Sequence, residues 1–225
     1  MYMKNKLETS KPLLLLLYGF PGSGKTHFAR NLVENLRSAH VHGDRIRAEL
    51  FEEPQYDRQE NGIITQLMQY MTEEFLSAGV SVIYDYTTIR KSQRAALREM
   101  ARKKGANTLT VWFQMDEDSA FIRTNNRDRR RGDDKYAVEY TQEMFKKYVN
   151  HMQHPEMRDE YVVVSGKHTY PSQQTSFFKK LIEEGYIVSG DGQSKVAKPG
   201  MINLIPRNLQ HTDRTQIRRR NINIR

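Results

Sequence analysis

The sequence feature that most restricts the fold is a glycine-rich stretch between an apolar run and a segment with helical character. Residues 19–26 read GFPGSGKT and follow soon after five consecutive leucines, Leu13–Leu17. They fit the pattern G-x-x-x-x-G-K-[ST], in which glycines allow backbone N–H groups to turn inward around phosphate oxygens. The segment therefore predicts a buried strand, a phosphate-binding loop and a helix in direct succession.

The residues of this loop have separate roles in binding a nucleoside triphosphate. Lys25 supplies a mobile cation for the phosphates, and the hydroxyl of Thr26 is a candidate ligand for Mg²⁺. A glycine turn that binds nothing is the alternative, but the strand that precedes the loop argues against it. The predicted nucleotide-binding residues of the loop are Gly19, Pro21, Gly22, Ser23, Gly24, Lys25 and Thr26.

Beyond the loop, short apolar runs alternate with segments of helical period. The longest of these helical segments spans residues 57–77 and ends before Gly79, and another ends before Gly105. Such alternation predicts an α/β P-loop fold, with a mainly parallel five-stranded sheet, helices on both faces and sites at the carboxyl ends of the strands. The predicted strands are 13–18, 39–42, 80–84, 108–115 and 161–165.

The chain has 225 residues and a formal net charge of +9. Residues 195–225 carry eight Lys or Arg side chains against one Asp, so the remainder has a net charge of +2. We predict an N-terminal extension over 1–12, a catalytic domain over 13–188 and a basic, disordered tail over 189–225. The tail is either an arm that contacts nucleic acid or an acidic partner, or a solvated chain end.

Two further features bear on the cellular setting. The chain contains no cysteine, which excludes disulfides and thiolate metal sites and is compatible with a reducing cytosol. The leucine run is too short for a secretory signal or a membrane span. We therefore expect a cytoplasmic protein without a membrane segment, and the oligomeric state is left open.

Two aspartates each follow a predicted strand. Asp44 is suited to accept the proton of an attacking hydroxyl, and Arg47, one helical turn later, is suited to hold the substrate or the carboxylate itself. Asp85 is suited to a cation, usually through water. The two aspartates could exchange these roles, and either could simply cap a helix or close a turn.

An arginine-rich segment, about residues 126–137, has the character of a lid. Arg127 and Arg131 are four residues apart, so on a helix both would project from one face and could straddle donor phosphates. Phosphoryl transfer gathers negative charge that arginine forks stabilise. The alternative is a solvated charged surface.

The histidines and the single tryptophan carry weaker signals. His40 and His42 face the same side of the predicted second strand, and His42 is near Asp44 in sequence. His151 and His154 have the spacing of a helical metal pair, but no further ligands with suitable spacing complete a site, so we interpret them as surface residues. Trp112, within an apolar strand, is interpreted as a core residue.

With these residues in hand, the chain resembles the polynucleotide kinase-like group of P-loop kinases, which includes chloramphenicol phosphotransferase and the zeta toxins. The similarity spans about residues 13–185, and its points of match are GFPGSGKT at 19–26, Asp44-x-x-Arg47, Asp85-x-Thr87 with Arg94 further on, Arg127-x-x-x-Arg131-Gly132, and Met144-Phe145-Lys146.

This resemblance implies roles for the matched residues. Asp44 would be the general base, Arg47 would contact the acceptor together with Asp85 and Thr87, and Arg127 with Arg131 would bind the donor phosphates. Thr88 departs from the group, in which many members carry Asn at that position.

The sequence and the resemblance together predict an ATP- and Mg²⁺-dependent kinase that phosphorylates a hydroxyl. The acceptor could be a nucleic-acid 5′-hydroxyl, a nucleotide-like small molecule or an antibiotic. Two alternatives are an ATP-hydrolysing switch whose tail engages RNA, and a toxin-like kinase that acts on a sugar nucleotide.

Overall fold

A five-stranded parallel sheet forms the centre of the protein. The computed structural model describes residues 6–127, 135–156 and 159–187. The strand order is β2-β3-β1-β4-β5, and every neighbouring pair is parallel, which confirms the predicted α/β fold. The strands are β1 (Leu13–Gly19), β2 (Ser38–His42), β3 (Ser81–Asp85), β4 (Asn107–Gln114) and β5 (Tyr161–Ser165).

Helices cover both faces of this sheet. The described residues form α1 (Lys25–Leu32), α2 (Gly43–Leu50), α3 (Arg58–Ser77), α4 (Lys91–Lys103), α5 (Glu117–Asn125), α6 (Gln142–Asn150) and α7 (Tyr170–Glu183). None of the helices in this part of the chain is long and apolar enough to span a lipid bilayer.

The leucine run explains how β1 comes to lie in the middle of the sheet. Leu13, Leu15 and Leu17 pack against α1 and α7 on one face, whereas Leu14 and Leu16 pack against α3 and α4 on the other. All five side chains are buried, because helices cover both faces of the strand. A strand buried on both faces needs a continuous apolar run, whereas an alternating pattern suits a strand with one face in solvent.

Some helix ends differ from the sequence-based prediction, and each difference has a local cause. The sequence pattern predicts the first helix over 25–37, but it ends at Leu32, because Leu7 pairs with the backbone of residues 35–37. The pattern also predicts a helix over 138–152, but α6 begins only at Gln142, since the Thr141 side chain accepts a hydrogen bond from the Met144 N–H and caps it.

Other boundaries agree with the prediction. Gly79 and Gly105 follow α3 and α4 with φ angles of 77° and 69°, the left-handed conformation expected of a glycine after a helix. All described residues belong to one compact unit, Met1–Val188. The predicted tail over 189–225 lies outside the described residues, and its boundary stays a prediction.

Candidate functional site

A cavity of about 480 Å³ opens at the edge of the sheet where the parallel strands end. The loop after β1, the residues after β2 and β3, and the segments on either side of the predicted lid all contribute to its wall. Parallel topology gathers these carboxyl ends together, which is why residues far apart in sequence meet here. Of the predicted site residues, the cavity wall contains Pro21, Gly22, Gly24, Lys25, Thr26, Asp44, Asp85, Thr87 and Arg127.

The glycine-rich loop has a backbone conformation that favours glycine at two positions. Gly22 and Gly24 have φ angles of 80° and 93°, and Lys25 is the first residue of α1. A Cβ at Gly22 would lie 2.3 Å from the carbonyl oxygen of Ala120, so this position also requires the absence of a side chain. The loop therefore brings the amino end of α1 to the cavity, as an anion-binding loop requires.

The Lys25 ammonium and the Ser23 hydroxyl are polar groups of this loop that could bind an anion. The Lys25 ammonium donates hydrogen bonds to the carbonyl oxygens of Gly19 and Phe20, at 2.9 and 2.6 Å. Burial lowers the pKa of Lys25 to about 8. The Ser23 hydroxyl is buried and has no hydrogen-bond partner among the described residues. A phosphate in the loop would supply acceptors to both groups.

Asp85, the last residue of β3, is a buried carboxylate. The Thr26 hydroxyl contacts it, and His40 Nε2 lies 3.0 Å from Asp85 Oδ2. Burial favours a higher pKa, but the hydrogen bond from His40, together with the nearby His42, lowers the pKa of Asp85 to about 2. Asp85 is therefore a fixed anion beside the end of the phosphate-binding loop.

Asp44 has the opposite character. It lies in the first turn of α2, about one-third of its side chain is exposed, and His42 Nε2 is 3.9 Å away. Withdrawal from water raises the pKa of Asp44, an effect that the neighbouring His42 only partly offsets. Among the described residues no side chain caps this helix, so the alternative interpretation of Asp44 as an N-cap is wrong.

The structure places Arg47 behind the cavity and not in its wall. The guanidinium is buried and donates to the Glu60 carboxylate at 2.6 Å, to Asn61 Oδ1 at 2.6 Å and to the hydroxyl of Tyr86 at 2.8 Å. It also stacks over the ring of Tyr56. Arg47 does not line this cavity, whereas Tyr86, which it hydrogen-bonds, does. The predicted role of Arg47 in binding a substrate stays a prediction.

Tyr86 is a site residue that the sequence did not point to. Its ring packs so closely on Gly43 that an added Cβ there would lie 2.0 Å from a ring carbon. Tyr140 and Tyr148, from the segment after the predicted lid, also line the cavity, with 6.2 Å between their ring centroids. A lone tyrosine after a strand has no distinctive spacing, so the place of Tyr86 in the cavity becomes evident only from its packing on Gly43. We call Tyr86, Tyr140 and Tyr148 the tyrosine wall.

Thr87 and Thr88 are neighbours in sequence but have different surroundings. Thr87 lines the cavity, as predicted, whereas the buried hydroxyl of Thr88 donates to the carbonyl oxygen of Leu17 at 2.7 Å. Arg94 is also buried, and its guanidinium donates to the carbonyl oxygens of Thr88 and Gln153. These two side chains hold the loop after β3 in place and do not line the cavity.

Only part of the predicted lid can be located. Arg127 lines the cavity and lies close enough to Lys25 and Asp44 to influence the pKa of both. Its Nη1 also donates to the carbonyl oxygen of Val138 at 3.4 Å. Arg131 lies outside the described residues, so its predicted role stays a prediction.

A second wall of the cavity was not predicted at all. Arg123 of α5 donates to the carbonyl oxygen of Gly166 at 2.7 Å, and His168 and Gln173 lie beyond it. A Cβ on Gly166 would lie 2.8 Å from the carbonyl oxygen of Ser23, so the loop after β5 approaches the phosphate-binding loop closely. Because β3 and β5 lie on opposite sides of β1 in the strand order, the loops after them flank the phosphate-binding loop from opposite sides.

Two further sequence-based interpretations concern aromatic residues. Trp112 is only partly buried and stacks on His154, with 5.1 Å between ring centroids. The Tyr18 hydroxyl is 3.0 Å from His154 Nδ1. His154 is thus exposed, as predicted, but Trp112 lies at the margin of the core, beside a smaller cavity on this face of the sheet.

Comparison with protein families gives one match. A family model described as an AAA domain matches residues 14–155, which include the phosphate-binding loop, Asp44, Asp85 and Arg127. Comparison with curated protein sequences finds no match.

Several solved structures share the fold at low sequence identity. Gluconokinase from Sinorhizobium meliloti has a TM-score of 0.57 at 14% identity, over 79% of this chain and 95% of that one. Kti12 from Chaetomium thermophilum, in complex with ADP-AlF3, has a TM-score of 0.58 at 16% identity, over 79% and 100%. The Pnkp1/Rnl/Hen1 RNA repair complex gives 0.54 at 20% identity, over 67% and 46%.

Proposed function

The chain belongs to the AAA domain family, and from this premise we propose that it is a P-loop kinase of the polynucleotide kinase-like group, which transfers the γ-phosphate of ATP to a hydroxyl acceptor. The acceptor oxygen attacks the γ-phosphorus, the bond to the β–γ bridging oxygen breaks, and ADP leaves. One observation carries the proposal: a cationic loop, a fixed anion and a carboxylate of raised pKa line a single cavity.

The donor half of the proposed reaction rests on the glycine-rich loop. Backbone N–H groups of Gly22 to Thr26 surround the phosphates, and Lys25 exchanges its bonds to the Gly19 and Phe20 carbonyls for phosphate oxygens. The unpartnered Ser23 hydroxyl fits the same ligand. Arg127 adds a second cation on the lid side, and Arg131 is proposed to join it.

The Thr26 hydroxyl and the Asp85 carboxylate fit Mg²⁺. Mg²⁺ favours oxygen ligands and uses one or two carboxylates with phosphates and water. Asp85 meets this requirement because its lowered pKa keeps it ionised beside Thr26. When bound, Mg²⁺ would neutralise charge that develops on the phosphate oxygens.

Asp44 is proposed as the general base. A base must be ionised at the working pH yet basic enough to take the proton, and a raised carboxyl pKa suits that task better than a lowered one. This contrast between Asp44 and Asp85 favours the assignment of Asp44 to the proton and Asp85 to the cation. The surroundings of the two aspartates thus support a distinction between roles that the sequence left interchangeable.

The acceptor is proposed to lie between Asp44 and the tyrosine wall. Thr87 and Tyr86 would contact it, and Arg47 would act as a positioning residue because it holds the Tyr86 hydroxyl at 2.8 Å. The candidate acceptors are oligonucleotides with a 5′-hydroxyl, nucleosides or nucleotide-like metabolites, and small hydroxylated antibiotics.

Transfer of labelled phosphate tests this function directly. The full-length chain is incubated with Mg²⁺, ATP that carries a radioactive γ-phosphate, and a panel of acceptors. The panel contains 5′-hydroxyl oligonucleotides, nucleosides, hydroxylated metabolites and antibiotics, and sugar nucleotides. We expect label on one class of acceptor and none with Lys25→Ala, whose loop lacks the phosphate cation.

The same assay separates the proposal from its alternatives. Label that appears only as inorganic phosphate, at a rate raised by RNA, would replace the kinase with an ATP-hydrolysing switch. Label on a sugar nucleotide would support the kinase and identify the toxin-like acceptor class.

A further inference from the structure

Two histidines and an aspartate meet beside the cavity at the edge of the sheet. His40 and His42 are two residues apart on β2, so both side chains project from the same face. Their rings stack with centroids 5.3 Å apart and planes inclined by 11°. Asp85 comes from the neighbouring strand, where it lies in register with His42.

The three side chains offer ligand atoms within a short distance of one another. Asp85 Oδ2 is 3.0 Å from His40 Nε2 and 3.9 Å from His42 Nε2. One ligand atom from each residue lies within 4.8 Å of both others. The side chains of His40, His42 and Asp85 are 15%, 11% and 5% exposed, so the group is shielded but reachable from the cavity.

We propose that His40, His42 and Asp85 form a binding site for a divalent transition-metal ion of the Zn²⁺ class. Two imidazole nitrogens and one carboxylate oxygen are the donor set of open zinc sites, which keep a further position for water. Mg²⁺ avoids such nitrogen donors and favours oxygen. The site is therefore chemically distinct from the oxygen site of Thr26 and Asp85.

The distances require only small side-chain movements. Bonds from Zn²⁺ to nitrogen and oxygen are about 2.0–2.2 Å, so tetrahedral ligand atoms lie roughly 3.3–3.5 Å apart. The His40–Asp85 pair is already near that separation, and His42 Nε2 has to approach Asp85 Oδ2 by about half an ångström. The ligand atoms of the two histidines, which lie within 4.8 Å of each other, also have to reach that separation. Stacking restrains both rings on the same side of the strand, which reduces the entropy that metal binding would cost.

The proposed site shares Asp85 with the proposed Mg²⁺ site, and this gives it a regulatory consequence. A Zn²⁺-class ion that binds the Asp85 carboxylate competes with the contact between Asp85 and the Mg²⁺ that accompanies ATP. Occupancy should therefore inhibit phosphoryl transfer. This second step rests on the proposed kinase function, whereas metal binding itself does not.

The alternative to a metal site is that His40 only positions Asp85. In that case His40 donates one hydrogen bond to the carboxylate, and neither histidine binds a metal. The two arrangements differ in one respect that can be measured: only the metal site requires His42 and His40 together with Asp85.

Co²⁺ binding tests the site without reference to activity. The untagged, metal-free full-length chain is titrated with Co²⁺, a spectroscopic substitute for Zn²⁺, and the visible absorption of the ion is recorded. We expect the intense band of a four- or five-coordinate ion. His40→Ala, His42→Ala and Asp85→Asn should each weaken binding at least about tenfold, since even partners outside the ligand set contribute 10- to 100-fold.

His151→Ala is the matched control, because His151 lies beyond α6 and its ring contacts only the Lys147 carbonyl among the bonds described. Circular dichroism and ATP binding show whether each variant is folded. The proposal is overturned if the wild type gives only the weak spectrum of hydrated Co²⁺, or if His151→Ala weakens binding as much as His42→Ala.

Inhibition by free Zn²⁺ tests the regulatory step. We expect the ratio of phosphoryl transfer with and without Zn²⁺ to be low for the wild type and to approach one for His42→Ala at the same free Mg²⁺. Co²⁺ binding combined with equal Zn²⁺ sensitivity in both proteins would refute the sharing of Asp85. If no acceptor is ever labelled, the kinase proposal fails, and the Co²⁺ result still decides whether the metal site exists.

Discussion

Asp44 and Asp85 illustrate how neighbouring groups give the same residue type two chemical characters. Asp85 is hydrogen-bonded by His40 and lies beside His42, which stabilises its ionised form. In contrast, burial and the charge of Asp85 raise the pKa of Asp44 by more than His42, Arg47 and Arg127 lower it. The sequence placed both after strands, but it did not reveal which carboxylate gained hydrogen bonds. That distinction depends on the register between β2 and β3.

Asp44→Asn tests the proton-acceptor role. The amide cannot take a proton, so we expect kcat to fall by ~100-fold or more while the Kd for ATP is nearly unchanged. In the wild type, kcat should fall as the pH decreases through the raised pKa of Asp44, because protonation removes the base. Steady-state kinetics and calorimetric ATP binding provide the measurements. A variant with unchanged kcat would remove Asp44 from this role.

Lys25 makes nucleotide affinity depend on pH. Burial lowers the pKa of its ammonium to about 8, so the free protein carries this charge below about pH 8 and loses it as the pH rises through that value. Because phosphate binds the protonated form, ATP affinity should be full below pH 8 and fall by up to ~10-fold per pH unit above it. Calorimetry across this range measures the effect.

Lys25→Arg is the control for this prediction, since arginine stays protonated throughout the range. Its ATP affinity should be weaker than that of the wild type at neutral pH, because the longer fork fits the loop poorly, but flat with increasing pH. A wild-type affinity that is constant from neutral to alkaline pH would contradict the proposed role of the Lys25 charge.

At the scale of elements, helix α2 and the loop after β3 are in close contact where Tyr86 packs on Gly43. The Tyr86 ring lies against Gly43, and Arg47 and Asn61 hold its hydroxyl from α2 and α3. The positions of the helices and strands could be predicted from apolar periodicity and from the glycines that end helices. The contact of Tyr86 with α2 and α3 could not be predicted, because it depends on how the two helices pack. The Arg47–Glu60 hydrogen bond joins these helices, and no local sequence pattern encodes it.

Gly43→Ala tests this fit. The new methyl group would lie 2.0 Å from the Tyr86 ring, so the ring has to move. We expect kcat/KM for the acceptor to fall tenfold or more, since a misplacement of ~1 Å can cost about 100-fold, while the Kd for ATP stays the same. Kinetics with the labelled acceptor and calorimetry separate the two effects.

Gly62→Ala is the matched control on α3. Gly62 is exposed, and an added Cβ meets no atom within 4 Å, so the substitution should leave the kinetics unchanged. It should also stabilise the protein by roughly 0.5–1 kcal/mol, because alanine favours the helix. Equal kinetic losses in Gly43→Ala and Gly62→Ala would argue against a specific role of Tyr86.

Arg94 joins helix α4 to the loop before it and to the segment between α6 and β5. Its buried guanidinium donates to the Thr88 and Gln153 carbonyls, and Asp159 lies 3.4 Å away. Arg94→Met leaves those acceptors buried without donors, so we expect the free energy of unfolding to fall by about 3 kcal/mol in urea denaturation.

Arg98→Met provides the comparison, because Arg98 binds the same Asp159 from a side chain that is one-third exposed. Its loss should be below about 1 kcal/mol, as expected for a partly solvated ion pair. If both substitutions cost the same, burial of the Arg94 guanidinium is not what stabilises these loops.

For the molecule as a whole, parallel topology explains why so much of the site could be predicted. The order β2-β3-β1 places the ends of three strands beside one another, and the phosphate loop, Asp44 and Asp85 follow those ends directly. Residues that reach the cavity from later segments, such as Arg123 and Tyr148, could not be predicted in the same way. Their positions depend on where α5 and α6 pack.

The charge distribution leads to a prediction about the whole chain. Residues 195–225 carry eight Lys or Arg side chains, whereas the rest of the molecule is nearly neutral. If the tail binds nucleic acid, truncation after Ser189 should weaken single-stranded oligonucleotide binding. The salt dependence should also become shallower, by about 0.7 in log K per log salt for each phosphate that the shortened chain no longer neutralises. Fluorescence anisotropy over a series of salt concentrations measures both.

Replacing Arg218, Arg219 and Arg220 with glutamine should produce part of the same change in a chain of full length. An unchanged slope in the truncated protein would mean that residues 1–189 alone account for any nucleic-acid binding and that the tail has no part in it.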